Sequence, residues 1–336
     1  MTGQHRQHRQ HGATAAVLPP RAQKYLDRRP EGRSDNTMEQ PANPRLLGID
    51  FGGTKMAIGV GDVNGRLLVS ERLPTNAEQG ARQALTRALD RARELADGTG
   101  GTLVAAGIAS PGVVHDHSIE LAPNVPGWEQ LRLADEVRAH LGVASVRVAN
   151  DLNAAAYAEL RLGALRGVDP GLVIGLGTGV AAAVTVGGQV VAGHHGAAGE
   201  IAYGLTDHSW PPNLEPMLES TFSGRALDEL AQRLGLTGQA AALCAAAVQP
   251  GRFRDELRQR VDELARHLVT CCLLLDPHRI VLVGSVAGNE VVRELLIARL
   301  KHALPYQPEI VLSAFAQDAA LLGSLTMAVE ALPATV

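Results

Sequence analysis

The chain has 336 residues, 46% hydrophobic and 20% charged, a balance that fits a soluble globular protein long enough for two domains. A formal net charge of −4 and an aromatic content of 3% give no electrostatic footprint for nucleic acid and no stacking platform for bases. No apolar run reaches the roughly 18 residues of a membrane span, and three cysteines (Cys244, Cys271, Cys272) are too few for a disulfide framework, so buried thiols and a cytoplasmic location are expected.

Residues 1–44 stand apart by composition. Gln4 to His11 is a polar three-residue repeat carrying His5, His8 and His11, followed by Pro19-Pro20 and an Arg-rich stretch. Nothing in it can bury a core, so this segment is expected to be disordered. Arg28-Arg29 lacks a following apolar segment, which speaks against a secretory or twin-arginine signal. Met38 lies shortly before the first strand and could start a shorter product.

From Arg45 the pattern becomes regular. An apolar run ends at Asp50, turns through Gly52-Gly53-Thr54 and returns as a second apolar run to Val60. This reads as a strand, a tight turn and a strand. Glycines without Cβ atoms let a phosphate approach the turn's N–H groups, Thr54 adds a hydroxyl, and Asp50 is placed to hold Mg²⁺ beside the phosphates. Taken alone, the same residues also make an ordinary hairpin turn.

A third strand is expected over 66–72, a helix over 77–96 and a buried strand over 103–110. That strand ends at Ser110-Pro111-Gly112, and ligands collect at the carboxyl ends of strands in α/β folds. A loop carrying Asn124 follows, then a helix over 130–140 and a strand over 145–149. Asn150 and Asp151 open the next helix, where one suffices as the N-cap and the other could accept a proton from a substrate hydroxyl.

Residues 171–186 repeat the opening: apolar strand, Gly177-Thr178-Gly179 turn, apolar strand. Two copies of one unit suggest a duplicated fold with a nucleotide between the halves. A glycine-rich loop then delivers Glu200, and Glu219 leads into a helix containing Ser223. Helices are expected over 226–248 and 253–275, a strand over 280–283, a small-residue turn at Gly284-Ser285, and helices over 289–302 and 317–331. The turn could admit a purine or simply join strand to helix.

With these pieces in order, residues 45–330 resemble the ROK family of bacterial sugar kinases and sugar-responsive repressors. The resemblance implies an α/β fold of the actin/hexokinase (ribonuclease H-like) type, with duplicated β-sheet cores and an interdomain cleft. It implies a small domain of residues 45–150 plus the C-terminal helix 316–332, and a large domain of 151–315. Leu47 to Lys55 is similar to the family's first phosphate motif, Leu176 to Val180 to its second, and Gly284 to Gly288 to a variant adenosine motif. By the same resemblance Asp151 is the catalytic base, with Asn150 its paired neighbour, while Asn124, Glu200 and Glu219 contact the sugar; Asn150 and the strand-end Gly112 are expected to bind substrate beside them. The implied activity is ATP- and Mg²⁺-dependent phosphorylation of the primary hydroxyl of a hexose or hexose-like acceptor by a homodimeric enzyme.

The family's Gly-Glu-Ile-Gly-His appears here as Gly199-Glu200-Ile201-Ala202-Tyr203, and its zinc-binding cysteine loop as His208 to Met217 without cysteine. No structural zinc is therefore expected, since His208 alone cannot replace four ligands. Tyr203 would stand on the anomeric side of the sugar, which opens the choice between glucose, an amino sugar such as kanosamine, and a C7 cyclitol of antibiotic biosynthesis. Polyphosphate is a further donor to consider. A sugar-sensing regulator and a degenerate binding protein are the competing classes. The first would need a DNA-binding segment, and the second would not need both phosphate motifs and Asp151 intact.

Overall fold

The computed structural model describes residues 43–209 and 213–332. The expected disordered segment lies outside them apart from its last two residues, as do the histidine repeat and Met38, and Pro44 already belongs to the first strand. In chain order the strands of the first half are β1 (Pro44–Phe51), β2 (Lys55–Gly61), β3 (Leu67–Pro74), β4 (Thr102–Ser110), β5 (Val113–Val114), β6 (Ile119–Glu120) and β7 (Ser145–Asn150). Five of them form one sheet in the order β3-β2-β1-β4-β7. The hairpins β1–β2 and β2–β3 are antiparallel, whereas β4 runs parallel to β1 and β7 parallel to β4.

The second half repeats this plan. Strands β8 (Gly171–Leu176), β9 (Val180–Val186), β10 (Gln189–Val191), β11 (Arg279–Val283) and β12 (Glu309–Leu312) are ordered β10-β9-β8-β11-β12. Again the hairpin strands pair antiparallel and the crossover strands parallel. The duplication read from two glycine turns thus extends strand by strand. The edge strand β12 has no counterpart in the sequence reading, because four residues are too few to show a period.

The helices are α1 (Ala81–Gly98), α2 (Leu133–Leu141), α3 (Asp151–Arg161), α4 (Leu218–Thr221), α5 (Gly224–Arg233), α6 (Gln239–Ala246), α7 (Arg252–Leu275), α8 (Glu290–Ala303) and α9 (Ala319–Glu330). Helix α1 buries Ala81, Ala84, Leu85, Ala88, Leu89 and Ala92, the spacing of one helical face. Its expected start at residue 77 is corrected: residues 77–79 form a single 3₁₀ turn, and Gly80 breaks the path. The helix expected over 226–248 is two helices, α5 and α6, because Gly235 and Gly238 take positive φ angles of 77° and 113°. Glu219 lies in the separate single turn α4, ahead of the helix capped by Ser223.

Each sheet is covered on both faces. Helices α1 and α2 close the outer face of the first sheet around Ile49, Ile58, Leu89, Trp128 and Val137. Helices α5, α7 and α8 close the outer face of the second around Leu172, Leu227, Leu264 and Leu296. Helices α3 and α9 pack on one another between the sheets, α9 setting Leu325 and Ala328 on Leu46 and Ala105, α3 setting Leu152 and Ala155 on Val173 and Ala183. Small residues make that layer thin. A Cβ on Gly323 would stand 1.7 Å from the Ala154 carbonyl oxygen, and one on Gly107 would stand 1.9 Å from that of Ser324. Ser324, fully buried, donates its hydroxyl to the Ile49 carbonyl at 3.0 Å, so the crossing leaves no polar debt there.

Candidate active site

The duplicated hairpins bring their glycine turns to the carboxyl ends of β1 and β8. In the first turn the Gly52 N–H donates to the Lys55 carbonyl at 3.0 Å, and a Cβ on Gly52 would lie 2.7 Å from that oxygen. Thr75, absent from the sequence reading, fastens the turn from β3's end: its hydroxyl donates to Gly52 O at 2.6 Å and its N–H to Thr54 O at 2.9 Å. Thr54 and Lys55 are exposed at the tip. A Cβ on Gly53 would lie 3.3 Å from Cβ of Asn124, so the expected sugar residue stands directly against the expected phosphate turn.

Half-buried Asp50 sits one residue before the end of β1. Burial foremost, and then the neighbouring Asp151 charge, push its carboxyl up from 3.8 to about 7, with Arg72 opposing and Asp318 reinforcing the shift. Arg72 on β3 pairs with Asp318 just ahead of α9. Neither residue carried a sequence signal, because each lies in a stretch whose period describes only packing.

Asn150 is the N-cap of α3, its Oδ1 accepting from Leu152 N at 2.9 Å and Asn153 N at 3.3 Å. Its Nδ2 donates to Gly112 O at 3.1 Å. Gly112 has φ +82°, and a Cβ there would lie 2.4 Å from the Glu120 carbonyl oxygen, so only glycine fits. Asn150 is therefore committed to building the site, and its side chain also hydrogen-bonds the Asp151 carboxyl. Asp151 is not wholly spare either, since its Oδ1 accepts from its neighbour Leu152 N at 2.7 Å. Burial raises its pKa, opposed by hydrogen bonds from the Leu152 N–H, its own N–H and the Asn150 side chain.

The second turn is held from the other side. Gly224 N donates to Gly177 O at 2.8 Å and Arg225 N to Thr178 O at 3.3 Å. Glu219 accepts from Val180 N at 3.2 Å, and a Cβ on Gly179 would stand 2.4 Å from its Oε2. Glu219 thus braces the second glycine turn, a contact the sequence did not reveal. Gly284, at φ +101°, lies against the same strand end: a Cβ on it would be 2.4 Å from Leu176 O, which also accepts from Val286 N at 2.9 Å. Gly284 and Ser285 are exposed beside the Gly177 turn.

Gly199 docks the glycine-rich loop on β9, Ala182 N donating to its carbonyl at 2.8 Å, and so delivers Glu200. The Glu200 carboxyl is pushed up by burial first, then by the charges of Asp151 and Glu219. The Tyr203 phenol, 44% exposed, is raised by burial and by Glu200, Glu219 and Glu129. Asp50, Asp151, Glu200, Glu219 and Tyr203 are thereby one electrostatic neighbourhood. Glu129 belongs to it as well, held by Ala122 N at 2.8 Å; its place directly after Trp128 in the Asn124 loop was the available signal.

Beyond Tyr203, the loop leading to α4 is closed by a bridge between Leu205 and Met217 and by Thr206 Oγ1 donating to Pro216 O at 2.5 Å. His208 lies 3.0 Å from Arg266 Nη1, which donates to Glu263 at 2.6 Å. Residues 210–212 lie outside the described residues.

A sheet of antiparallel hairpin and parallel crossovers, occurring twice with glycine turns at matching strand ends, defines the actin/hexokinase-like ATPase fold. The ROK family model matches residues 46–331, and the chain belongs to the ROK family. It is a sugar kinase of that family, a phosphotransferase with an alcohol acceptor. It is 28% identical over 312 residues to a glucokinase of Thermotoga maritima, covering 85% of this chain and 98% of the relative. An N-acetylgalactosamine kinase of a Shewanella strain is 31% identical over 267 residues, covering 75% of this chain and 84% of that one. Among solved structures, a ROK glucokinase of Streptomyces griseus in complex with glucose and AMPPNP superposes with TM-score 0.70 at 27% identity, covering 85% of this chain and 99% of that one. No helix among the described residues is long and apolar enough to cross a membrane.

Proposed function

We propose that this kinase transfers the γ-phosphoryl group of ATP to the primary hydroxyl of a hexose or hexose-like polyol, with Asp151 as general base. The observation that carries the reading is the place of Asp151: first residue of α3, its carboxyl close enough to both Asp50 and Glu200 for its charge to raise each of theirs. Asp151 accepts the acceptor's hydroxyl proton, and the oxygen attacks the phosphorus as the bond to the leaving ADP opens. The turns at 52–54 and 177–179 hold the phosphates through backbone N–H groups, with Lys55 as a nearby cation. Gly284 and Ser285 take the adenosine. Asn124, Asn150, Gly112, Glu200 and Glu219 position the acceptor; such orientation is worth about 7–11 kcal/mol of barrier.

Asp50 fits Mg²⁺. That ion binds through one or two carboxylates, with phosphate oxygens and water completing its shell, and Asp50 is a carboxylate beside the phosphate turn. When bound it would offset charge on the transferring phosphoryl group. The same reading includes closure of two domains, residues 45–150 with 316–332 and residues 151–315, around the acceptor. It also includes a homodimer, supported by Leu273 and Leu274 of α7, 61% and 89% exposed.

Tyr203 favours a more specific acceptor. A phenol in place of the family's imidazole changes both the size and the hydrogen bonding of the anomeric side, which supports an amino hexose such as kanosamine or a C7 cyclitol of secondary metabolism over plain glucose. An ADP-release assay with Mg-ATP across glucose, mannose, free and N-acetylated amino hexoses and cyclitols decides it. Turnover confined to one unusual acceptor supports the specific reading, and strong turnover on glucose replaces it with a general glucokinase. Absence of turnover on every acceptor, with ATP bound, would overturn the kinase assignment to this set of acceptors.

A further inference from the structure

Helix α7 carries none of the residues assigned to the reaction, yet it lies directly behind the segment that carries Tyr203. Tyr203 ends the 3₁₀ turn Ile201–Tyr203, whose Ile201 and Ala202 pack on the core that Leu264 and Leu268 of α7 help to build. The next residue, Gly204, rests on a side chain of the same helix. A Cβ on it would stand 2.7 Å from Cε1 and 2.8 Å from Nδ1 of His267. Gly204 has φ −59° and ψ 133°, a backbone open to any residue, so it is the imidazole foremost that excludes a larger side chain.

Gly204 also ties together two residues of the acceptor site. Its N–H donates to Ile201 O at 2.9 Å, and its carbonyl accepts from Leu218 N at 2.7 Å. Tyr203 directly precedes Gly204, and Glu219 directly follows Leu218. Both are thus one residue away from a bonded pair that leans on the His267 ring.

His267 is itself held by its own helix. Glu263, one turn earlier and 9% exposed, faces His267 Nε2 with its Oε1 across 3.7 Å. The other Glu263 oxygen accepts from Arg266 Nη1 at 2.6 Å, and Arg266 Nη1 lies 3.0 Å from Nε2 of His208, so the helix grips the loop a second time. Burial foremost lowers the pKa of His267 from its usual 6.5, so the ring is neutral at pH 7. The facing Glu263 charge favours the ring's single proton on Nε2 and so fixes the edge that the imidazole turns to Gly204. Glu263 Oε1 and His267 Nε2 lack a hydrogen-bond partner among the described residues, and neither has surface open to a ligand, so each can serve only the other. Native interiors rarely leave such groups unmet, and the pair asks for more than a packing role.

We propose that His267, oriented by Glu263, is a positioning residue for phosphoryl transfer: through Gly204 it fixes Tyr203 and Glu219 against the acceptor and so sets the acceptor's fit. It touches neither acceptor nor nucleotide. The inference rests on the acceptor role given above to Tyr203 and Glu219.

Steady-state kinetics with an accepted sugar test it, the sugar varied at saturating Mg-ATP and Mg-ATP varied at saturating sugar. Gly204→Ala, which drives a methyl group onto the ring, and His267→Ala, which removes the ring, should each raise the acceptor KM about tenfold. The KM for ATP and the urea midpoint should stay near those of the parent protein. In the combined variant the new methyl enters the space the ring has left, so the acceptor KM should rise by clearly less than the product of the two single effects. Glu263→Gln keeps the size of the side chain and removes its charge; it should raise the acceptor KM in the same direction, and it carries the test if His267→Ala fails to fold. An unchanged acceptor KM in these variants, effects that simply multiply in the combined one, or a rise shared equally by acceptor and ATP would each overturn the proposal while leaving the kinase reading in place. Absence of turnover by the parent protein on every acceptor would overturn that reading, and the proposal with it.

Discussion

Asp151 and Asp50 face different demands in one small volume. For Asp151, replacement by Asn keeps the shape and the bond to Leu152 N while removing the proton acceptor, so turnover should fall by about 10²–10⁴-fold with acceptor binding retained. Wild-type-like turnover in a steady-state assay would remove Asp151 from the base role. For Asp50 the sign follows from its raised pKa. Between the usual 3.8 and about 7 the folded chain holds a proton that the unfolded chain has released. In magnesium-free buffer, stability should therefore decline as pH rises through that window and level off above it. Asp50→Asn should flatten this part of the urea-midpoint profile. Magnesium competes with the same proton, so its apparent affinity should weaken as pH falls below about 7 and stay constant above. A calorimetric series across that range checks it, and equal affinity at both ends would show that Asp50 is not the ligand.

Among the elements, the α3–α9 pair is the tightest joint. Gly323→Ala would drive a methyl group into the Ala154 carbonyl, with no flexible side chain to yield. Overpacking of this kind costs about 1–3 kcal/mol or more, read as a lower urea midpoint. Gly98→Ala, where a Cβ meets nothing within 4 Å, is the matched control and should be neutral or slightly stabilising. The sequence showed the two hairpins, the strand ends carrying Asp50 and Gly112, and the start of α3, because glycine turns and long apolar runs are local signals. It showed nothing of the α3–α9 joint, since Ala154 and Gly323 look like ordinary helix residues until the helices meet. The same limit hid Thr75 bracing Gly52, Glu219 bracing Gly179, and the commitment of Asn150 to Gly112: each is a contact between residues far apart in the chain.

For the whole molecule, the proposed mechanism requires the two sheets to approach one another around bound acceptor and nucleotide. Small-angle scattering should show a smaller radius of gyration with an accepted sugar and a non-hydrolysable ATP analogue together than with either alone. An unchanged radius would leave the acceptor site to act without closure. The middle layer has a further consequence. Helix α9 follows every strand in the sequence, yet it covers the inner face of the first sheet, whose strands are among the earliest to be made. On the ribosome, Leu46 and Ala105 must wait for Leu325 and Ala328 with well over half the polypeptide still to be synthesised. The nascent amino-terminal half thus spends most of translation with an uncovered apolar face, the condition under which chaperones engage a growing chain.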